Sequence, residues 1–135
     1  MKTNSLATLL ITAVLLMQGC APALLAGGAL AGVGLASYVK GELIATESAT
    51  LDQAWEASEK ALVHLGFLIV ERQRDGLTGR LTARGAEDKK VEINFKREAI
   101  HITQLKIRVG LFGDETLSRH VLREIQRRLG TLQSE

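Results

Sequence analysis

Hydrophobic and polar positions divide the chain into two parts that differ in character and meet near Lys40. Before this residue stand an apolar run from Leu6 to Met17 and a stretch without any charge from Ala21 to Val39. After it, charged residues occur regularly and the apolar positions become periodic. Because such periodicity is typical of packed secondary structure, we expect a folded domain to begin at Lys40.

Two segments of the folded part have apolar residues at helical spacing. The first begins with Thr50 and Gln53, which form a capping-box sequence, and stops at Gly66. The second begins after Asp114, a natural N-cap, and stops at Gly130. Each segment carries one apolar stripe that needs a partner surface. The stripes consist of Leu51, Ala54, Trp55, Ser58, Ala61, Leu62 and Leu65 in the first helix and of Leu117, Val121, Leu122, Ile125 and Leu129 in the second.

Strand character appears in five segments, most of which alternate apolar and polar residues. The dipeptide Asp75-Gly76 predicts the turn of a hairpin. The apolar parity changes near Thr103 and Gln104, which predicts a β-bulge in the last strand. One dry and one wet face per strand indicate an antiparallel sheet that is solvated on one side. The predicted strands are 41–47, 67–74, 77–84, 90–96 and 100–109.

The predicted element order is β-α-β-β-β-β-α. Both helices must bury their stripes, and the apolar face of the sheet is the available partner. We therefore expect an α+β fold, a two-layer sandwich with two helices on one face of an antiparallel sheet. The domain spans residues 40–130, and 131–135 form a C-terminal tail. This order is similar to the TATA-binding-protein-like and helix-grip topologies, which implies nothing about function.

The amino-terminal residues have the pattern of a bacterial lipoprotein signal. Lys2 and the apolar run are typical of a secretory signal peptide, here residues 1–19. The sequence Met17-Gln18-Gly19-Cys20 resembles the lipoprotein signal, which implies a lipid on the Cys20 thiol and cleavage between Gly19 and Cys20. The chain would then be held to a membrane by its acyl chains. Ala21 resembles the second residue of lipoproteins directed to the outer membrane, where the domain would face the periplasm.

Residues 20–39 connect the lipid-bearing cysteine to the domain, and two interpretations of them remain open. They are long and apolar enough to enter or lie in a bilayer. Gly28, Gly32 and Ala36 stand four apart, which would let two such helices associate closely. The alternative is an apolar tether, because glycine is costly in a water-exposed helix.

Composition and charge narrow the classes of function. The 135 residues allow one domain of modest size. The whole chain has seventeen basic side chains. One of them is Lys2 of the signal peptide, so the mature chain carries sixteen basic and fifteen acidic side chains. This balance gives no field that would attract nucleic acid. The single cysteine cannot form an intramolecular disulfide, which leaves it free for lipidation.

Residues 38–129 resemble a family of small bacterial lipoproteins, domain of unknown function 3568. The resemblance rests on three segments, 38–43 (YVKGEL), 51–55 (LDQAW) and 108–115 (RVGLFGDE). The last is the most specific, since a strand end, a glycine pair and a helix cap follow in fixed order. The resemblance implies lipoprotein character and the fold above, and it brings no catalytic residues.

Catalytic and metal chemistry finds little support along the chain. His64, His101 and His120 fall on different predicted elements and lack the spacing of a metal site. There is neither a nucleophile-elbow serine nor a phosphate-binding loop. We expect no catalytic residue, metal or cofactor, and hence no enzyme. A hydrolytic activity would need a pocket that joins His101 or His120 to a carboxylate.

The second helix offers a candidate site for anionic ligands. Arg119, Arg123 and Arg127 share its outer face and could bind lipid head groups or peptidoglycan. The alternative is a solvated face neutralised by helical pairs such as Glu115 with Arg119. The polar face of the sheet is also rather basic and forms a second candidate docking surface.

Leu111 and Phe112 stand between Gly110 and Gly113 and form a candidate contact for a partner protein. The alternative is that Phe112 folds back over the core, with the glycines serving a sharp turn. Our first hypothesis is a non-enzymatic envelope lipoprotein that binds another envelope protein or supports assembly. The second is a binder of anionic ligands through the second helix.

Overall fold

The computed structural model describes residues 35–134 as an antiparallel sheet of six strands with two helices packed against it. The strands are β1 (Ala36–Val39), β2 (Glu42–Glu47), β3 (Leu68–Arg74), β4 (Thr78–Arg84), β5 (Lys90–Ala99) and β6 (Ile102–Val109). The helices are α1 (Leu51–His64) and α2 (Glu115–Gln133). The strands lie in the sheet in the order β1-β2-β6-β5-β4-β3. The predicted α+β class and the order β-α-β-β-β-β-α are confirmed, with β1 added in front.

Helix α1 begins where the sequence predicts, because both halves of the capping box are formed. The Thr50 hydroxyl accepts a hydrogen bond from the Gln53 backbone N–H at 3.1 Å. In return, Gln53 Oε1 accepts one from the Thr50 backbone N–H at 3.0 Å. Such reciprocal bonds satisfy amides that have no partner within the helix.

Helix α2 runs past the predicted stop at Gly130 and ends at Gln133. The expectation of a tail from residue 131 is therefore wrong for its first three residues. Glycine inside a helix costs about 1 kcal/mol, but contacts of the next turn offset this cost. Leu132 packs against the core, and Gln133 Nε2 donates a hydrogen bond to the Ser48 carbonyl at 2.6 Å.

Strand β1 lies within the segment that we assigned to the connection before the domain. It pairs with β2, with Ala36 opposite Ala45 and Val39 opposite Glu42. The predicted boundary at Lys40 is wrong by these four residues, because a charge-free run concealed their period of two. Ala36 is part of a strand, so it does not belong to a helical stripe. The other members, Gly28 and Gly32, lie outside the described residues, as do Gly19 and Cys20.

The core lies between the helices and the inner face of the sheet. Trp55 of α1 packs on Phe95 of β5, with ring centroids 5.2 Å apart. Gly79 makes room for the indole, since a β-carbon there would stand 2.8 Å from Trp55 Cζ3. The aliphatic core residues include Leu43, Leu62, Leu81, Ile93, Leu105, Ile107 and Ile125. Trp55 is therefore a structural residue, as its place on the apolar stripe predicts.

The β5–β6 hairpin differs in detail from the prediction. Its pairing shifts between Arg97 and Ala99 of β5, opposite Thr103, so the irregularity lies on the strand facing the predicted bulge. Ile100 and His101 form the turn instead of beginning the last strand. This placement keeps Leu105 and Ile107 on the inner face of the sheet and leaves Ile100 exposed.

Candidate functional site

The loop between β6 and α2 carries the two most exposed large apolar side chains of the described residues. Leu111 is 82% exposed and Phe112 is 89% exposed. The alternative in which Phe112 folds back over the core is therefore wrong. We call Leu111 and Phe112 the tip. Apolar groups that stand this far into solvent are typical of contact sites, because covering them removes apolar surface from water.

The backbone below the tip is held by the turn between β1 and β2. Gly41 and Gly113 both have positive φ, 82° and 87°, which favours glycine. A β-carbon on Gly113 would stand 2.5 Å from the Gly41 α-carbon, and one on Gly41 would stand 2.8 Å from the Phe112 carbonyl oxygen. The turn and the loop thus pack glycine against glycine. This contact holds the backbone of the loop that carries the tip.

Hydrogen bonds and an ion pair hold both ends of the same loop. The Gly110 N–H donates to the Lys90 carbonyl at 2.8 Å. Asp114 caps α2 by accepting a hydrogen bond from the Leu117 N–H at 2.9 Å, and Lys89 Nζ lies 3.5 Å from its other oxygen. The hydrogen bond from Leu117 is the main cause of the lowered pKa of Asp114. A carboxylate that stays ionised at a helix N-terminus stabilises the start of the helix.

A groove of about 530 Å³ lies beside the tip and is lined mostly by charged residues. Its charged side chains are largely paired, either within the lining or with adjacent carboxylates. Lys90 Nζ lies 2.9 Å from Glu92, whose pKa is lowered mainly by that hydrogen bond. Arg108 lies 3.3 Å from Glu42. An apolar projection next to paired polar groups has the arrangement of a protein interface, where a dry centre is bordered by a polar rim.

The groove continues onto the outer face of the sheet, which is the second docking surface predicted from the sequence. Arg80, Lys96 and Lys106 lie on this face, away from the helices. Arg80 Nε donates to Asn94 at 2.9 Å and lies 4.0 Å from Glu92. The face is therefore polar and basic, as expected, and Glu92 partly neutralises its centre.

The arginines on the outer face of α2 are mostly engaged by glutamates of the same helix. Arg119 donates twice to Glu115, at 2.9 and 2.8 Å. Arg127 and Arg128 both bind Glu124, at 2.6 and 2.9 Å. Hydrogen bonding from Arg127 is the main reason that the pKa of Glu124 falls to about 2. These pairs support the alternative of a solvated charged face.

Arg123 is the member of the arginine set without a carboxylate partner in the part of the chain that the structure describes. Its guanidinium lies 3.4 Å from His120 Nδ1. One unpaired cation is a weak recognition element for an anionic polymer, since binding strength grows with the number of neutralised charges.

The histidines do not form a common site. His64 Nε2 lies 3.9 Å from Glu124, while His101 is in the β5–β6 turn and His120 is on α2. Within residues 35–134, no group of three or more potential ligands is arranged to hold a metal ion. Over the same range, no helix is both long and apolar enough to cross a membrane.

Sequence reasoning missed a buried carboxylate and the support of the tip. Glu47 is 7% exposed, and its Oε1 accepts a hydrogen bond from Gln126 Nε2 at 2.8 Å. Its position was readable, because Glu47 continues the inward parity of Leu43 and Ala45. Burial raises the pKa of Glu47, against the smaller effect of the Gln126 hydrogen bond.

Comparison with known families finds a match, whose range covers the three segments that carry the resemblance. Residues 4–128 match the family described as a protein of unknown function (DUF3568). The chain belongs to this family. The matched range includes the tip, the turn that supports it and nearly all of the sheet and helices. Among curated proteins, no match to the chain is found.

Proposed function

We propose that this chain is a lipoprotein held to the bacterial outer membrane by lipid on Cys20, with its α+β domain facing the periplasm as a binding module for another envelope protein. The signal pattern before Cys20 and the Gly19-Cys20 junction support the anchor. The tip supports the binding role. Leu111 and Phe112 carry no acid, base or nucleophile, so the chemistry they offer is burial and shape.

The exposure of Leu111 and Phe112 on a fixed backbone is the observation that carries this proposal. Complete burial of each side chain in a partner would contribute about 1.5–3 kcal/mol. Because the glycine contact holds the loop, little conformational entropy is lost when a partner binds. The paired charges of the neighbouring groove supply a polar rim, which would set the orientation of the partner more than its affinity.

Photo-cross-linking in intact cells tests the partner. A photoreactive amino acid replaces Phe112 in the full chain, and the matched control replaces Val63, which is 65% exposed on α1. We expect a discrete protein adduct at position 112 and none at position 63, because only the tip belongs to the proposed interface. Equal adducts at both positions, or none at 112, would contradict the proposal.

Mass spectrometry of the mature amino terminus tests the anchor separately. The expected species begins at Cys20 and carries acyl chains, while Cys20→Ala remains uncleaved and without lipid. An unmodified thiol on a membrane-extracted chain would exclude the anchor and leave the partner experiment to be judged by itself.

A further inference from the structure

A second pair of exposed apolar residues lies on two neighbouring turns. Leu77, 61% exposed, is in the β3–β4 turn, and Ile100, 68% exposed, is in the β5–β6 turn. A hydrogen bond from the Arg97 N–H to the Leu77 carbonyl at 2.8 Å joins the β3–β4 turn to β5, three residues before Ile100. We call Leu77 and Ile100 the base.

The turn that carries Leu77 is fixed by one side chain. Asp75 Oδ1 accepts hydrogen bonds from the backbone N–H groups of Leu77 and Thr78, both at 2.8 Å. These bonds, with that from Leu77 the largest cause, lower the pKa of Asp75, so the carboxylate is ionised and the turn is held at neutral pH. Leu77 therefore projects from a defined position, as the tip residues do.

The base and the tip lie at opposite ends of the sheet. Strand β6 begins two residues after Ile100 and ends two residues before Leu111. Its eight residues span roughly 25 Å at the usual rise of a strand. The two pairs are therefore separated by about the length of this strand.

The direction of β1 relates these two ends to the point where the chain enters the sheet. Strand β1 is antiparallel to β2, which is antiparallel to β6, so β1 and β6 run the same way, from the base toward the tip. Leu35, which is exposed, stands immediately before β1 and hence on the side nearer the base. Cys20 precedes it by fifteen residues.

We infer that the base rests on the lipid surface to which Cys20 is attached, so that the tip is presented to the periplasm at the far end of the domain. This inference rests on the proposed anchor. Apolar side chains on turns enter the boundary between head groups and acyl chains, where their burial is favourable. Arg97, which is exposed and lines the same surface hollow as Ile100, fits the phosphate layer at the same depth.

Fluorescence quenching on vesicles tests this orientation with the full chain. When Cys20 carries lipid, a cysteine introduced elsewhere is the only free thiol. The variants Leu77→Cys, Ile100→Cys and Phe112→Cys receive an environment-sensitive dye, with Val63→Cys as the control of similar exposure. Each lipoprotein is placed in vesicles of phosphatidylethanolamine and phosphatidylglycerol, with or without brominated lipid. Circular dichroism confirms that the variants are folded.

At positions 77 and 100 we expect the dye emission to shift to the blue on vesicles and to be quenched by brominated lipid. We expect neither change at positions 112 and 63. Quenching at 112 alone would overturn the orientation, because the tip would then enter the lipid. Floating, lipidated chains with no quenching at any position would overturn lipid contact by the base and leave the anchor intact. Chains that do not float, and whose Cys20 takes the dye, would overturn the anchor and the orientation together.

Discussion

Gly113 packs so closely on Gly41 that a β-carbon on Gly113 would stand 2.5 Å from the Gly41 α-carbon. The two residues are far apart in sequence, and their contact joins the β1–β2 turn to the loop that carries the tip. Both have positive φ, so each position excludes a side chain on grounds of backbone conformation as well as space.

We predict that Gly113→Ala lowers the free energy of unfolding by about 2–4 kcal/mol, since positive-φ strain and overpacking add. Chemical denaturation of the detergent-solubilised lipoprotein measures it. Gly130→Ala is the matched control, because Gly130 lies inside α2 with open space around it. The control should raise stability by about 0.5–1 kcal/mol. A Gly113 variant as stable as wild type would show that the loop is not tightly held.

Glu47 should make the domain less stable at neutral pH than at mildly acidic pH. Burial raises its pKa, so the folded state binds this proton more tightly than the unfolded state. The stabilisation is present below the ordinary carboxyl value of 4.5 and is lost as the pH rises through the higher folded value. Glu47→Gln keeps an oxygen that can accept from Gln126, and we expect it to raise the thermal midpoint at pH 7.

The advantage of Glu47→Gln should shrink near pH 4, where the wild-type carboxyl is largely protonated in both states. Glu87→Gln provides the control, since Glu87 is exposed and makes no ion pair within residues 35–134. An advantage that is the same at both pH values would mean that burial of the charge is not its cause.

Glu124 should show the opposite dependence on pH. Its pKa is lowered to about 2, mainly by the hydrogen bond from Arg127. The folded state therefore gains stability above the ordinary value of 4.5, and loses it as the pH falls toward 2. We expect Glu124→Gln to lower the thermal midpoint at pH 7 and to match wild type near pH 2.

The same Glu124→Gln variant tests the arginine face of α2. Because the substitution releases Arg127 and Arg128, it should increase binding to anionic vesicles, with an effect that weakens at high salt. Arg123→Gln is the complementary variant and should change wild-type binding little. A large loss of binding with Arg123→Gln would favour the anionic-ligand hypothesis over the protein partner.

Phe112 and Trp55 should respond oppositely to the same truncation. Phe112→Ala removes an exposed ring, so we expect the free energy of unfolding to stay within about 0.5 kcal/mol of wild type. Trp55→Ala empties a core position and should cost about 3–5 kcal/mol. With Phe112→Ala, cross-linking from a photoreactive group at position 111 should fall although the domain is folded. Persistent cross-linking would show that the ring does not contribute to the contact.

Much of the fold could be predicted because its elements are amphipathic and leave a single way to bury their faces. The capping box at Thr50 and the turn at Asp75-Gly76 are local, and both are formed as expected. The end of α2 was missed because Gly130 predicts a helix stop, while the contact of Leu132 with the core, which favours one more turn, cannot be seen in the sequence. Strand β1 was missed because a four-residue segment without charged residues is too short to show an alternation of apolar and polar positions.

The candidate site was predictable in its residues but not in its geometry. The sequence marks Leu111 and Phe112 by the glycines around them, yet a two-residue segment has no periodicity that fixes which way its side chains point. The contact between Gly41 and Gly113 joins distant segments, and local patterns do not encode it. The base was missed for a related reason, since Leu77 and Ile100 come to the same end of the sheet only when β4 and β5 pair.

The position of β6 between β2 and β5 determines when the sheet can be completed. Strands β3 to β6 form successive hairpins, whose contacts are close in sequence. Strand β2 instead pairs Glu47 with Thr103 and Leu43 with Ile107, across more than fifty residues. Such distant pairing is slow, because a long loop must close first. The amino-terminal hairpin therefore cannot join the sheet until β6 is in place, and until then its open edge is exposed to other chains.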